Sequence, residues 1–77
     1  MNKYEKAVEA MSQNGHTAYV VEEPVYDNGY NVETQFQVWL ESWSANLETT
    51  HEFRLHENDI DEWAEIYDDN NKQQNEQ

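Results

Sequence analysis

Residues 17–40 read TAYVVEEPVYDNGYNVETQFQVWL, and the fold turns on this stretch. Two β-rich runs flank Asp27-Asn28-Gly29-Tyr30. Asn-Gly between such runs is the strongest short-range hairpin signal, because both central residues of a type I′ turn need a positive φ. With Asn28-Gly29 as a two-residue loop, Val25 is expected to face Val32, Val21 to face Phe36 and Tyr19 to face Val38, all on one apolar side. Pro24 then falls on the other side, opposite Glu33. Proline cannot donate to a ladder, so the first strand is expected to lie at an edge or to carry a bulge there.

Toward the C-terminus the second strand continues with clear alternation. Tyr30, Val32, Thr34, Phe36, Val38 and Leu40 share one parity, while Asn31, Glu33, Gln35, Gln37, Trp39, Glu41 and Trp43 share the other. Such alternation marks a sheet with one buried and one solvated face. A short turn around Trp43 to Asn46 leads to a third strand ending near His56, with Leu47, Thr49, His51, Phe53 and Leu55 inward and Glu48, Thr50, Glu52 and Arg54 outward. The register of this second hairpin stays open. Residues 58–69 then place Ile60, Trp63, Ala64 and Tyr67 at helical spacing, with Asn58 as the expected N-cap and Asp61 three residues on. Toward the N-terminus, Tyr4, Ala7, Val8 and Met11 give the same spacing over residues 2–14, and Asn14-Gly15 supplies the stop.

The expected fold is therefore α+β: a helix, a three-stranded antiparallel β-meander and a second helix. Both helices are expected to cover the apolar sheet face, in one two-layer domain over residues 1–69. Residues 70–77 carry no apolar side chain and are expected to form a disordered polar tail.

Composition narrows the function. Seventeen Asp and Glu stand against four Lys and Arg, a net charge of −13 in 77 residues. Gripping nucleic acid or an anionic membrane surface takes the opposite balance. There is no cysteine, hence no disulfide, thiolate cluster or thiol nucleophile. No long apolar run marks a membrane span or a signal segment, which places the expected location in the cytoplasm. Charge of this size can mean disorder, but three Trp, five Tyr and two Phe give a small core the large rings it needs.

Catalysis and cofactors find little support. Ser12, Ser42 and Ser44 sit in no glycine-rich elbow, and two glycines cannot build a phosphate-cradling loop. No enzyme activity and no cofactor are expected. His51 reads as a partly buried, hydrogen-bonded ring on the inward parity rather than a metal ligand. His56, Glu57 and Asp59 could approach a cation at the strand–helix junction, but their spacing fits no zinc or EF-hand pattern. No metal site is assigned.

The acids themselves form rows. One follows the second helix, at Asp61, Glu62, Glu65, Asp68 and Asp69; the other follows the outward sheet parity, at Glu33, Glu41, Glu48 and Glu52. Their pitch on a helix or strand is of the same order as the spacing of phosphates. Solubility needs a net charge of only about 2–8 in a small domain. Self-repulsion beyond that asks for compensation, from a salt-rich medium or from a basic partner surface. Trp39 and Trp43 project from the polar parity, where either can pack locally or anchor a partner; Trp39 tilts toward packing.

A small, cysteine-free, acidic domain with acid rows on a helix and a sheet resembles the phage-type inhibitor proteins described as DNA mimics, among them anti-CRISPR, anti-restriction and DNA-glycosylase inhibitor proteins. The resemblance spans residues 1 to about 69 and lies in size, charge and element pattern, so no residue role carries over by position. It implies a stoichiometric inhibitor acting in the cytoplasm of a bacterial host. Its partner would be a basic nucleic-acid-binding protein or complex, met through the two acid rows with Trp43 as an apolar anchor. The alternative is a small cytoplasmic adaptor whose acidity is only solvation. An exposed edge of the first or third strand also offers a pairing surface for a second copy, a homodimer.

Overall fold

The computed structural model describes residues 1–75, with side chains described through Lys72. The element order is α1 (Lys3–Gln13), β1 (Thr17–Asp27), β2 (Tyr30–Ser44), β3 (Thr49–Arg54) and α2 (Glu57–Asn75). The strands form one antiparallel sheet in the order β1-β2-β3, so the expected α+β layout is the observed one. No helix among the described residues is long and apolar enough to cross a membrane.

Each end of α1 is chemically specified. The Asn2 side chain accepts from the Glu5 backbone N–H at 2.9 Å, and the Glu5 carboxylate accepts from the Asn2 N–H at 3.3 Å, a closed capping box. At the other end His16 N–H donates to Met11 O and Gly15 N–H to Ser12 O. This is the Schellman pattern, with Gly15 at φ 85°. The buried stripe between these caps is Ala7, Ala10 and Met11.

The hairpin turns where expected. Asn28 and Gly29 take φ of 52° and 84°, and Asp27 pairs with Tyr30. The register beyond the turn differs from the expectation. A bulge intervenes: Val25 pairs with Glu33 and Tyr26 with Asn31, leaving Val32 as the extra residue. From there the ladder is shifted by one. Val21 faces Gln37, Tyr19 faces Trp39 and Pro24 faces Thr34, in place of Phe36, Val38 and Glu33. A one-residue shift exchanges the faces of a strand. Ala18 and Val20 therefore join Phe36, Val38 and Leu40 beneath α1, while Tyr19 and Val21 point outward.

The second hairpin also turns later than expected. Residues 45–48 form the loop, closed by Glu48 at φ 51°, so Leu47 lies in the turn, exposed, rather than inward on β3. α2 begins one residue before the expected start. His56 occupies the capping place: its carbonyl accepts from Asp59 and Ile60, and its Nδ1 accepts from Asn58 N–H at 3.1 Å. The helix continues to Asn75, through most of the stretch expected as a disordered tail; residues 76–77 lie outside the described residues.

The core is small: Ala7, Met11, Val38 and Ile60 pack together, ringed by Tyr4, Val8, Ala18, Val20, Leu40, Leu55 and Trp63. Tyr4 stacks on Phe36 with ring centroids 5.3 Å apart, tying α1 to the sheet. α2 packs chiefly on α1, rather than beside it on the sheet as expected. The fully buried Ala7 and Ala10 on α1 and the buried Ala64 on α2 are too small to hold the two helices apart. Phe53 on β3 consequently remains half exposed. The molecule is a slab of 50 × 43 × 16 Å, and its long axis is close to the length of the 15-residue β2 at about 3.3 Å per residue. The distal half of the β1–β2 hairpin projects past the helices as an arm, with Tyr26, Tyr30 and Val32 exposed.

Candidate acidic interface

The expected acid row on α2 divides into two kinds of carboxylate. Asp61 and Asp68 face α1 and are held there. Lys3 Nζ lies 2.9 Å from Glu57 and 3.0 Å from Asp61, and Lys6 Nζ lies 2.9 Å from Asp68. Tyr4 Oη also donates to Glu57, at 3.2 Å. The hydrogen bond from Lys3 lowers the Glu57 pKa below the usual carboxylate range, and the bonds to Glu57 and Asp61 raise that of Lys3. Tyr4 titrates higher than a free tyrosine, first through desolvation and then through its bond to Glu57. These acids fasten one helix to the other. Glu62, Glu65 and Asp69 make no ion pair among the described residues and are exposed. At spacings of three and four they form one line along α2.

The outward sheet face holds the second group. Glu41 pairs directly with Glu52 across β2 and β3. Leu55 N–H donates to Val38 O, so the even-numbered residues of β2 carry the hydrogen bonds toward β3. Glu41 and Glu52 thus form a non-hydrogen-bonded pair, the kind whose side chains approach more closely. Tyr19 Oη donates to Glu52 at 2.8 Å, which raises the tyrosine's pKa. The adjacent row is Tyr19, Trp39 and Arg54. Trp39 donates its indole N–H to Gln37 at 3.0 Å, and Gln37 donates to Glu23 at 3.0 Å. Trp39 is thereby a half-buried part of the sheet surface, whereas Trp43, facing Thr50, is 64% exposed.

Two predicted members stand apart. Glu33 lies on the arm beside the bulge, accepting from Gln35 at 3.3 Å. Glu48 is in the loop and not on the sheet, because its left-handed φ ends the turn before β3 begins. The sequence alone assigns Glu23 no role, places Glu57 only near a candidate cation and Arg54 only on the outward parity of the third strand. Glu23 becomes an outward neighbour of Gln35 only in the shifted register, and Glu57 meets Lys3 across 54 positions in the chain.

The chemistry of these groups is that of charge pairing. Among the described residues no three His, Asp or Glu side chains gather closely enough to hold a metal ion. His56 is engaged in capping α2, and His16 packs edge-on against Trp63 at 5.7 Å. A cleft of about 350 Å³ opens where β3 ends, lined by Phe36, Gln37, Arg54, Leu55, His56, Glu57 and Ile60. No family model, curated protein or solved structure matches this chain.

Proposed function

We propose that this protein is a stoichiometric inhibitor that occupies the basic nucleic-acid-binding site of another protein or complex. The target class it fits best is a bacterial defence or DNA-processing complex such as a CRISPR surveillance complex, met in the cytoplasm of the host. The observation that carries this reading is the Glu41–Glu52 pair. Two carboxylates stand directly opposed on a sheet face that neither helix covers, and no Lys or Arg among the described residues makes an ion pair with either. Like charges opposed across strands destabilise a fold. A cationic partner would turn that cost into attraction and would speed encounter. The line Glu62, Glu65 and Asp69 extends the acid surface onto α2, and the exposed Trp43 borders the sheet group as an anchor.

A second reading rests on Trp43 alone: an adaptor that binds through this ring and the sheet surface, its acidity serving only solvation. One experiment separates the two. The tagged chain captures partners from bacterial lysate at low salt, and the captured complex is then tested for nucleic-acid binding. Inhibition at one-to-one stoichiometry, release by salt, and loss of capture in Glu41→Lys/Glu52→Lys and in Glu62→Lys/Glu65→Lys/Asp69→Lys support the inhibitor. Capture that survives both charge reversals and fails in Trp43→Ala overturns it in favour of the adaptor.

A further inference from the structure

Both glycines of the chain follow an asparagine, at Asn14-Gly15 and at Asn28-Gly29. An Asn-Gly step can modify itself, because the glycine's backbone nitrogen can attack the carbonyl carbon of the asparagine side chain. Glycine has no Cβ to shield that nitrogen. The two steps are alike in sequence and differ in their surroundings.

Asn14 is held at the end of α1. Its side-chain Nδ2–H donates to Ala10 O at 2.8 Å. The Gly15 N–H, whose nitrogen would be the nucleophile, donates to Ser12 O at 3.1 Å, and His16 N–H donates to Met11 O at 2.9 Å just beyond it. Attack at Asn14 needs the amide and the glycine nitrogen released together. That unwinds a helix end anchored in the core by the buried Ala10 and Met11. Asn28 stands at the exposed tip of the arm. Among the described residues neither its side-chain amide nor the Gly29 N–H makes a hydrogen bond. At φ 52° the left-handed backbone turns the Gly29 nitrogen away from the amide, so reaction proceeds from an opened turn. Opening there breaks only the pairing of Asp27 with Tyr30, and the nearby Tyr26, Tyr30 and Val32 are exposed already.

We propose that Asn28 is a self-modifying site, converting in the folded protein to aspartate and isoaspartate while Asn14 is retained. The Gly29 nitrogen gives up its proton and bonds to Asn28 Cγ. The Cγ–Nδ2 bond breaks, and ammonia leaves with that proton, closing a cyclic imide. Water then opens the ring. Cleavage between Cγ and the Gly29 nitrogen gives aspartate. Cleavage between that nitrogen and the main-chain carbonyl carbon gives isoaspartate, in which the chain runs through Cβ and Cγ. Nothing is oxidised, and water is the sole co-reactant. Either product carries a new carboxylate, taking the formal charge one unit beyond −13. Asp-Gly fits a type I′ turn as Asn-Gly does, whereas the methylene that isoaspartate adds to the backbone spoils the two-residue loop. The tip then frays, while the core of Ala7, Met11, Val38 and Ile60 stays packed.

Incubation of the full chain in mildly alkaline buffer, below its melting transition, tests this. Peptide mapping by mass spectrometry reads the exchange of ammonia for water at each site, and chromatography separates the two products. A parallel sample is held in denaturant. Two hydrogen bonds of ordinary strength must be released at Asn14 and none at Asn28, so in the folded chain Asn14 should react about tenfold more slowly. In denaturant the ratio should collapse toward one. Asn28→Asp keeps the turn and removes the reacting amide, so it should melt as the parent does and gain no charge at residue 28. Equal conversion of both sites in the folded chain overturns the proposal. So does an Asn28 that stays intact while the denatured chain converts. A preference for Asn28 that persists unchanged in denaturant overturns it too, since the cause would then lie in the neighbouring side chains and not in the fold.

Discussion

Replacing Glu41 by Gln should stabilise this protein. The Glu41 carboxylate accepts no side-chain hydrogen bond among the described residues, and the residue is half-buried and faces Glu52 in a non-hydrogen-bonded cross-strand pair. Two unit charges about 6 Å apart repel by roughly 0.7 kcal/mol in bulk water and about 3 kcal/mol at an effective dielectric of 20. Measured cross-strand pair effects lie lower, at about 0.2–1 kcal/mol, and Glu52 is exposed enough for that range to apply. A small domain gains about 4–8 °C in Tm per kcal/mol, so Glu41→Gln should melt about 1–8 °C higher in low salt. Thermal denaturation followed by circular dichroism reads this directly. The gain should shrink toward zero near 1 M NaCl, where the screening length is ~3 Å. Glu33→Gln is the control: Glu33 faces Val25, so its removal should change Tm less. A Tm for Glu41→Gln equal to or below the parent at low salt, or a gain that persists at high salt, would refute the reasoning. The same substitution should weaken capture of a basic partner, since repulsion within the fold and attraction to the partner arise from one pair of groups.

Met11→Ala empties the centre of the core, where Met11 is 1% exposed, and should cost about 2–5 kcal/mol in denaturant unfolding. With so few buried side chains this should leave the chain largely unfolded. The lowered pKa of Glu57 gives an acid-side prediction. Its contribution is fully present above the unfolded value of 4.5 and is lost as pH falls through the lower folded value. Glu57→Gln should therefore flatten the pH dependence of stability on the acid side of 4.5 and leave the neutral side parallel to the parent. Gly15→Ala meets no atom within 4 Å but must hold φ near 85°. The cost should be conformational alone, about 1–2 kcal/mol in thermal unfolding.

The local signals were legible because their causes are local. Asn28-Gly29 needed no partner to define a type I′ turn, and Gly15 closed the C-terminal end of α1 within one turn of itself. The register was illegible for the opposite reason. Turn chemistry specifies the pair next to the loop, and a single bulged residue, Val32, overrides it for the rest of the strand. The bulge brings small Ala18 and Val20 beneath α1, and sends Tyr19 out to Glu52. A sequence window around the hairpin contains neither α1 nor Glu52. Helical spacing puts the acids of α2 in a row but cannot divide them into two populations, since Lys3 and Lys6 lie more than 50 positions away.

Sequence by itself determined the element order, the antiparallel meander, the amphipathic stripe of each helix and the excess of negative charge. These follow from periodicity, capping and composition, which act over a few residues or over none. Tertiary structure alone decided which acids remain available. Packing α2 on α1 neutralises Asp61 and Asp68, and pairing β2 with β3 sets Glu41 against Glu52. It also left the distal edge of β2 open, because β3 is six residues long where β2 is fifteen. The physical reason is one of range. A carboxylate's identity is written in the chain, but the charges it meets are chosen by which surfaces the small core can bring together.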